Sequence, residues 1–216
     1  MCFSPEASFA VGSALAVIGA ATIRKALRVD RSMLGFAVFP AIFSLHQFTE
    51  GFVWLSVNGG FNGVVFRYLY ILIAVLLWPF LSPLASFFAE PARVGRPVRY
   101  ALLAAGLMVT GYLAYKLANA SGIDVDVVGH SLSYVIRYDT PLPEFANYAY
   151  AAVAILPLLV IRNSVLTVLA ALAAGSFFYT LHEMREVWYS VWCLSAAVFS
   201  GLLYVAVGSS AKAQTR

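Results

Sequence analysis

The stretch Ser44–Trp54 reads S-L-H-Q-F-T-E-G-F-V-W and lies inside an apolar run, residues 33–57, that is long enough to cross a bilayer. His46 and Glu50 are four residues apart, so on a helix they share one face, and Trp54 continues that face by one turn. An imidazole and a carboxylate are costly at membrane depth unless they find partners. The pair therefore predicts a functional site inside a membrane-spanning helix.

The composition of the whole chain also indicates a membrane protein. Of 216 residues, 62% are hydrophobic and 11% are charged, with a mean hydropathy of +0.83. Soluble domains carry about 25% charged residues. No polar segment is long enough to fold separately, so we expect residues 1–216 to form one integral membrane domain. The positive charges follow the first apolar run instead of preceding it, which predicts a retained helix and no cleaved signal peptide.

Seven apolar runs predict seven membrane-spanning helices. Their approximate bounds are 7–23, 33–57, 64–88, 100–117, 145–161, 164–179 and 187–207. The one long connection, residues 118–144, alternates in polarity around Gly129 and predicts a short β-hairpin across one mouth of the bundle. The polar tail, residues 208–216, is expected to be flexible. The predicted fold is an all-α seven-helix bundle with a hairpin-like outer loop.

The positions of the charges predict the orientation. If the loops are assigned alternately to two sides, ten of the fourteen Lys and Arg residues fall on one side, with only two of the ten acids. The positive-inside rule then places the N-terminus outside and the C-terminus inside, in the inner (plasma) membrane. The basic residues lie in short loops where topology needs them, so the net charge of +4 does not indicate nucleic-acid binding.

This orientation gathers titratable and sulfur-containing side chains on the outer half of the bundle. A divalent metal such as zinc is one interpretation, because His46 and Glu50 offer two ligands from one helix face and the H-E-M-R-E segment repeats that spacing at His182 and Glu186. The candidate ligands are Cys2, His46, Glu50, His130, His182, Glu183, Glu186 and Cys193, and the candidate pocket wall is Gln47, Trp54, Trp188 and Trp192.

Simpler interpretations stay open for the same groups. Glu50 could form an ion pair with Arg67 that holds the second and third helices together, since buried charges usually pair. The H-E-M-R-E segment could be an ordinary solvated helix end. Cys2 and Cys193 both face the oxidising side, so a disulfide, two free thiols and two metal thiolates are all chemically allowed.

Four motifs carry a resemblance that covers nearly the whole chain. They are M-C-F-S-P-E-A-S-F (Met1–Phe9), H-Q-F-T-E-G-F-V-W (His46–Trp54), W-P-F-L-S-P (Trp78–Pro83) and S-V-W-C-L-S-A-A (Ser190–Ala197). With them the chain resembles an uncharacterised family of bacterial multi-pass membrane proteins that begin M-C-F-S-x-x-A-S and carry E-G-x-x-W and S-V-W-C. The matching positions are Cys2, Ser4, Gln47, Glu50, Gly51, Trp54, Trp78, Pro79, His130, Ser190, Trp192 and Cys193.

The resemblance implies no known activity, but it changes the weight of the candidates. The chain departs from the family at His46, where Gln is common, and at His182. A metal centre that depended on both histidines would therefore not be a family property. The resemblance shifts the expected site toward Cys2, Glu50, His130 and Cys193.

Two better-known seven-helix families fit poorly. Microbial rhodopsins need a lysine in the last helix, and the lysines here, Lys25, Lys116 and Lys212, all lie outside the last span. Intramembrane zinc hydrolases of the ceramidase and adiponectin-receptor type resemble this chain in helix number but carry H-x-x-x-H in the last helix. The last span of this chain has no histidine.

The expected function is a membrane binding protein, either a sensor, a small transporter or an accessory subunit. Its outward-facing polar pocket around Glu50 would take a metal ion, a proton or a small ligand. The alternative is a metal-dependent intramembrane hydrolase with Glu50 or Glu183 as base, which needs three ligands and an open metal position. A homo-oligomer is compatible with the sequence but has no support in it.

Overall fold

A computed structural model of the protein describes residues 4–214, with side chains described as far as Ser209. The described chain is mostly helical and carries one two-stranded sheet. In chain order the elements are α1 (Pro5–Val29), α2 (Arg31–Val57), α3 (Val64–Phe88), α4 (Arg96–Ala118), β1 (Ile123–Val128), β2 (Ser131–Ile136), α5 (Phe145–Leu159), α6 (Ser164–Glu183), α7 (Trp188–Ser200) and α8 (Leu203–Gln214).

Six helices in the described chain are long and apolar enough to cross a membrane. They are α1, α2, α3, α4, α6 and the segment Trp188–Ser209, which combines α7 with the start of α8. The protein is therefore a multi-pass membrane protein. Helix α5 is apolar but has 15 residues, fewer than the ~20 that cross a bilayer without help. By length alone, six of the seven predicted spans meet the criterion.

Helices α1 and α2 pack closely because small residues line their contact. A Cβ atom added to Gly19 would lie 2.7 Å from the backbone nitrogen of Ala41, so only glycine allows this approach. Further along the same contact, Ser44 Oγ donates a hydrogen bond of 2.7 Å to the carbonyl oxygen of Gly12. The polar side chains of α2 near this contact, including Gln47 and Glu50, are buried inside the bundle.

Helix α3 has the predicted bounds and contains a widened π-helical turn at Leu72–Leu77. Wide turns of this kind are frequent at functional sites. Pro79 follows the turn and has no N–H, so it cannot donate to the carbonyl of Ala74 five residues earlier. The Tyr150 hydroxyl of α5 donates to that carbonyl instead, at 2.5 Å. Pro79 is thus accommodated after a wider turn in a helix that remains continuous.

The β-hairpin predicted within residues 118–144 is confirmed. Its strands pair antiparallel from Ile123 opposite Ile136 to Val128 opposite Ser131, and Gly129 in the turn has a φ of +61°, which favours glycine. Strand β2 packs against α7, and β1 packs against α2 and the start of α3. The hairpin therefore covers one end of the bundle.

A charged contact fixes the chain where it leaves the hairpin. Lys116 at the end of α4 is buried, and its Nζ donates to Asp139 Oδ1 at 2.5 Å and to the carbonyl of Thr140 at 2.7 Å. The hydrogen bond from Lys116 lowers the pKa of Asp139, so the Asp139 carboxylate stays ionised at neutral pH.

Several helix ends differ from the predicted bounds. Helix α1 continues past residue 23 to Val29, with Arg28 in its last turn, where a cation suits the helix dipole. Helix α6 extends to Glu183, and α5 ends at Leu159, two residues early. These ends depend on capping and on tertiary contacts, which apolar periodicity does not record.

The last predicted span is divided in two. Helix α7 ends at Ser200 and α8 begins at Leu203. Helix α8 then continues to Gln214, through most of the segment 208–216 that was expected to be flexible.

Candidate functional site

Glu50 is the centre of a buried polar cluster between α2 and α7. Its side chain has no exposed surface. Ser190 Oγ of α7 donates to Glu50 Oε1 at 2.6 Å, and Gln47 Nε2 of α2 donates to Glu50 Oε2 at 3.2 Å. Hydrogen bonds to a carboxylate are strong, and an O–H donor at this distance is in the charge-assisted range. The cluster thus joins two helices through one carboxylate.

Local sequence lets α1 pack closely against α2 beside Glu50. Gly51 follows it, and a Cβ atom there would lie 2.7 Å from the ring of Phe9. The glycine therefore lets Phe9 of α1 lie against α2. The centroid of the Phe9 ring also lies 5.3 Å from that of Phe52. Gln47 lies three residues before Glu50 and so shares its helix face.

An aromatic stack links this cluster to the hairpin. The His46 ring stacks on Tyr70 of α3 with centroids 4.1 Å apart, and Tyr70 stacks on Tyr134 of β2 with centroids 4.2 Å apart. His46 Nε2 lies 3.3 Å from the carbonyl oxygen of Tyr70. Within residues 4–209, His46 makes no hydrogen bond to Glu50, although the two share a helix face. Its role is contact with α3.

Cys193 borders the same cluster from α7. Its side chain is buried and carries a free thiol. Cys193 lies three residues after Ser190 on α7, so the two side chains share one helix face. Cys2, the other candidate from the sequence, lies outside the described residues.

The predicted ion pair between Glu50 and Arg67 is not formed in the described part of the chain. The ion pairs found there join Arg99 to Glu90, Lys116 to Asp139, Arg137 to Asp124 and Arg185 to Glu144. Arg67 is half-buried, and its Nε has no partner among the described residues. Both oxygens of Glu50 instead accept hydrogen bonds from neutral groups.

The other predicted ligands lie together in a separate, exposed place. His130 in the hairpin turn and His182, Glu183 and Glu186 at the end of α6 line one surface groove. Ser133 Oγ of β2 donates to the Glu186 carbonyl at 2.7 Å and holds the hairpin against this groove. The structure thus divides the predicted site into a buried group and a surface group.

The described residues contain no group of three or more His, Cys, Asp or Glu side chains that could hold a metal ion. This applies to the surface groove and to the cluster around Glu50. The predicted zinc or other divalent metal has no support within this part of the chain.

Of the tryptophans predicted as pocket wall, Trp188 and Trp192 lie together, with ring centroids 6.3 Å apart. Trp54 is buried on α2. Trp188 lies beside Tyr189, with ring centroids 3.9 Å apart. Trp192 Nε1 donates to the Ala173 carbonyl of α6 at 3.2 Å, so Trp192 belongs to the contact between α6 and α7.

Three residues of the cluster were not among the predicted site residues. Ser190 is in the S-V-W-C motif, three residues before Cys193 and therefore on the same helix face. That spacing was a usable signal. Tyr70 and Tyr134 enter through stacking between distant segments, and no local pattern marks such a contact.

Comparison with known proteins places the chain in a family. No curated protein and no solved structure matches it. One family matches the whole chain, residues 1–216, and is described as a family of unknown function (DUF6629). The protein therefore belongs to this family of unknown function.

Proposed function

We propose that the protein is a membrane-embedded binding protein of the sensor or accessory-subunit type, and that its binding site is the carboxylate of Glu50. The observation that carries the proposal is the complete burial of this carboxylate in a membrane-spanning helix, hydrogen-bonded to Ser190 of another helix. Ionisable side chains at such positions are rare and are functional by default.

The occupant that this closed arrangement favours is a proton. Glu50 has no exposed surface, and a proton, unlike a metal ion or a small molecule, needs no cavity. Both partners also suit either protonation state. The Ser190 hydroxyl can donate to a carboxylate or accept from a carboxylic acid, and the Gln47 amide carries donors and an acceptor.

Protonation of Glu50 offers a way to change the structure. The bond from Ser190 to the ionised carboxylate is charge-assisted, and such bonds are roughly twice as strong as neutral ones. Proton binding would weaken this link between α2 and α7. Because the hairpin contacts the same region through Tyr134, the change would reach the hairpin surface.

The proposed membrane arrangement has seven spans, with the N-terminus and the hairpin outside and the C-terminus inside the plasma membrane. It includes α5 as a short span. The support is the charge asymmetry, with ten of fourteen cationic residues on one side. The Glu50 site would then exchange its proton with the extracytoplasmic side.

The test is pH-difference infrared spectroscopy of the protein in liposomes, with wild type and Glu50→Gln compared. We expect wild type to show a carboxylic-acid C=O band that appears on acidification and that is missing in Glu50→Gln. The matched control is Glu183→Gln, which removes an exposed acid at the end of α6 and should leave that band unchanged.

Two outcomes would contradict the proposal. A wild-type spectrum without any band that depends on Glu50 would mean that this carboxyl group does not titrate. A stoichiometric metal in the purified wild-type protein, lost in Glu50→Gln, would make the occupant a metal ion and would direct attention to the hydrolase alternative.

A further inference from the structure

Three loops are joined by hydrogen bonds at the end of the bundle opposite the hairpin. They are the connections from α1 to α2, from α3 to α4 and from α5 to α6. Ser32 Oγ of the first loop accepts a hydrogen bond of 3.1 Å from the N–H of Glu90 in the second. The N–H of Arg162 in the third loop donates to the Pro91 carbonyl of the second at 2.8 Å. The three loops therefore form one continuous surface.

This surface gathers exposed arginines from segments far apart in the chain. We call it the basic surface, and its members are Arg28, Arg31, Arg93, Arg96 and Arg162, all of them exposed. Within residues 4–209, none of the five forms an ion pair with an acid. Arg31 and Arg93 donate to backbone carbonyl oxygens through Nε, and such bonds leave the positive charge in place.

The two acids in the same loops are already bound within the protein. Asp30 is buried, and its Oδ1 accepts hydrogen bonds from the N–H of Ser32 at 3.0 Å and from Ser32 Oγ at 2.7 Å. Both oxygens of Glu90 are also used, one by Arg99 Nη2 at 2.9 Å and the other by the N–H of Ala92 at 2.9 Å. Neither acid forms an ion pair with the basic surface, so the positive charge there is available to an external anion.

Exposed apolar side chains lie beside these arginines. Leu27 precedes Arg28 at the end of α1, Phe88 is the last residue of α3, and Tyr100 lies four residues after Arg96 on α4, and all three are exposed. These helices are long and apolar enough to cross the membrane, so their ends lie near the lipid headgroups. A ligand at this level can place an anionic group on the arginines and hydrocarbon on the apolar side chains.

We propose that the basic surface binds the headgroup of an anionic phospholipid, with its phosphate on Arg31 and Arg162. A guanidinium group matches phosphate with two parallel N–H donors, and basic pockets between membrane-spanning helices suit lipids of the cardiolipin class. Such a lipid carries two phosphates, which corresponds to the supply of arginines by three loops. This inference does not depend on proton binding at Glu50.

The experiment is native mass spectrometry of delipidated, detergent-solubilised protein titrated with cardiolipin. The key variant combines Arg31→Gln with Arg162→Gln. The matched control combines Arg137→Gln with Arg185→Gln, which removes the same charge from exposed positions at the hairpin end. We expect about one cardiolipin per wild-type chain, binding weaker by about tenfold or more in the key variant, and unchanged binding in the control.

A second variant and three other ligands complete the test. Arg28→Gln combined with Arg96→Gln should also weaken cardiolipin binding, which covers the case in which the first variant fails to fold. Phosphatidylcholine should bind more weakly than cardiolipin, and neither inorganic phosphate nor a single-stranded oligonucleotide should displace it at the same concentration.

Three results would overturn the proposal. An equal loss of cardiolipin binding in the key variant and the control would reduce the effect to net charge. Equal binding of phosphatidylcholine would remove the role of the anionic headgroup. Displacement of cardiolipin by phosphate or by the oligonucleotide would make the ligand a soluble anion instead of a lipid.

Discussion

Glu50 shows how one residue can join distant parts of a membrane protein. An ionised carboxylate loses several kcal/mol of hydration when it is buried and needs hydrogen bonds in return. Gln47 supplies one from the same helix, and Ser190 supplies one from 140 residues further along the chain. The second bond therefore contributes both to the carboxylate and to the position of α7 against α2.

We predict that Ser190→Ala destabilises the protein by about 1–3 kcal/mol, because it leaves a buried acceptor with one donor fewer. The matched control is Ser195→Ala on the same helix. Its hydroxyl donates to the Val191 carbonyl of its own turn, so the expected loss is about 0.5 kcal/mol or less. Chemical unfolding of the purified variants in detergent measures both. Equal losses would show that the bond to Glu50 contributes no stability of its own.

At the scale of elements, the close packing of α4 against α3 depends on two prolines of α3 and on one glycine of α4. Pro83 has no N–H and leaves the Pro79 carbonyl, four residues earlier, without its helical donor. Gly106 of α4 lies against this place, where an added Cβ atom would be 2.3 Å from the Pro79 oxygen and 2.8 Å from Pro83 Cγ. The two helices can approach this closely only while residue 106 has no side chain.

Gly106→Ala should therefore destabilise the protein by about 1–3 kcal/mol, the usual cost of overpacking. Gly111→Ala lies on the same helix, and its added Cβ atom would meet nothing within 4 Å. That control should be neutral or should stabilise the helix by up to about 1 kcal/mol. Unfolding curves in the same detergent compare the free energies of unfolding of the two variants with that of wild type. A Gly106→Ala protein as stable as wild type would contradict the proposed close contact.

At the scale of the whole molecule, the charges and the hairpin make the two ends of the bundle different. One end carries the hairpin, the surface groove with His130 and His182, and the aromatic stack of Tyr70 on Tyr134. The other carries the loop in which Arg99 donates to Glu90 at 2.9 Å. In the orientation that we propose, the second end faces the cytoplasm.

We predict that a cysteine at His130 reacts with a membrane-impermeant maleimide on intact cells, whereas a cysteine at Arg96 reacts only after the membrane is opened. Both positions are exposed. The variants are His130→Cys and Arg96→Cys in a Cys2→Ser background, and that background alone controls for labelling of buried Cys193. The reverse pattern would invert the orientation, and labelling of both on intact cells would contradict a membrane crossing by α4, the helix that separates the two positions.

Sequence patterns alone predicted the membrane class, the bounds of α3 and the presence of the hairpin, and they made Glu50 a candidate site residue. Apolar length, alternation and a carboxylate in an apolar run are local properties that can be read residue by residue. The bounds of α1, α5 and α6 were less accurate, because caps and dipoles determine where helices end.

The partners that the candidate residues meet depend on how the helices pack in three dimensions. Glu50 contacts Ser190 instead of Arg67, His46 stacks on Tyr70, and His182 and Glu183 remain on the surface. An apolar cavity beside Phe43, Trp78 and Leu203 belongs to the same class, since residues of six helices form its wall. Partner choice depends on how each helix is rotated and packed against segments more than a hundred residues away, and no local pattern in the sequence contains that rotation.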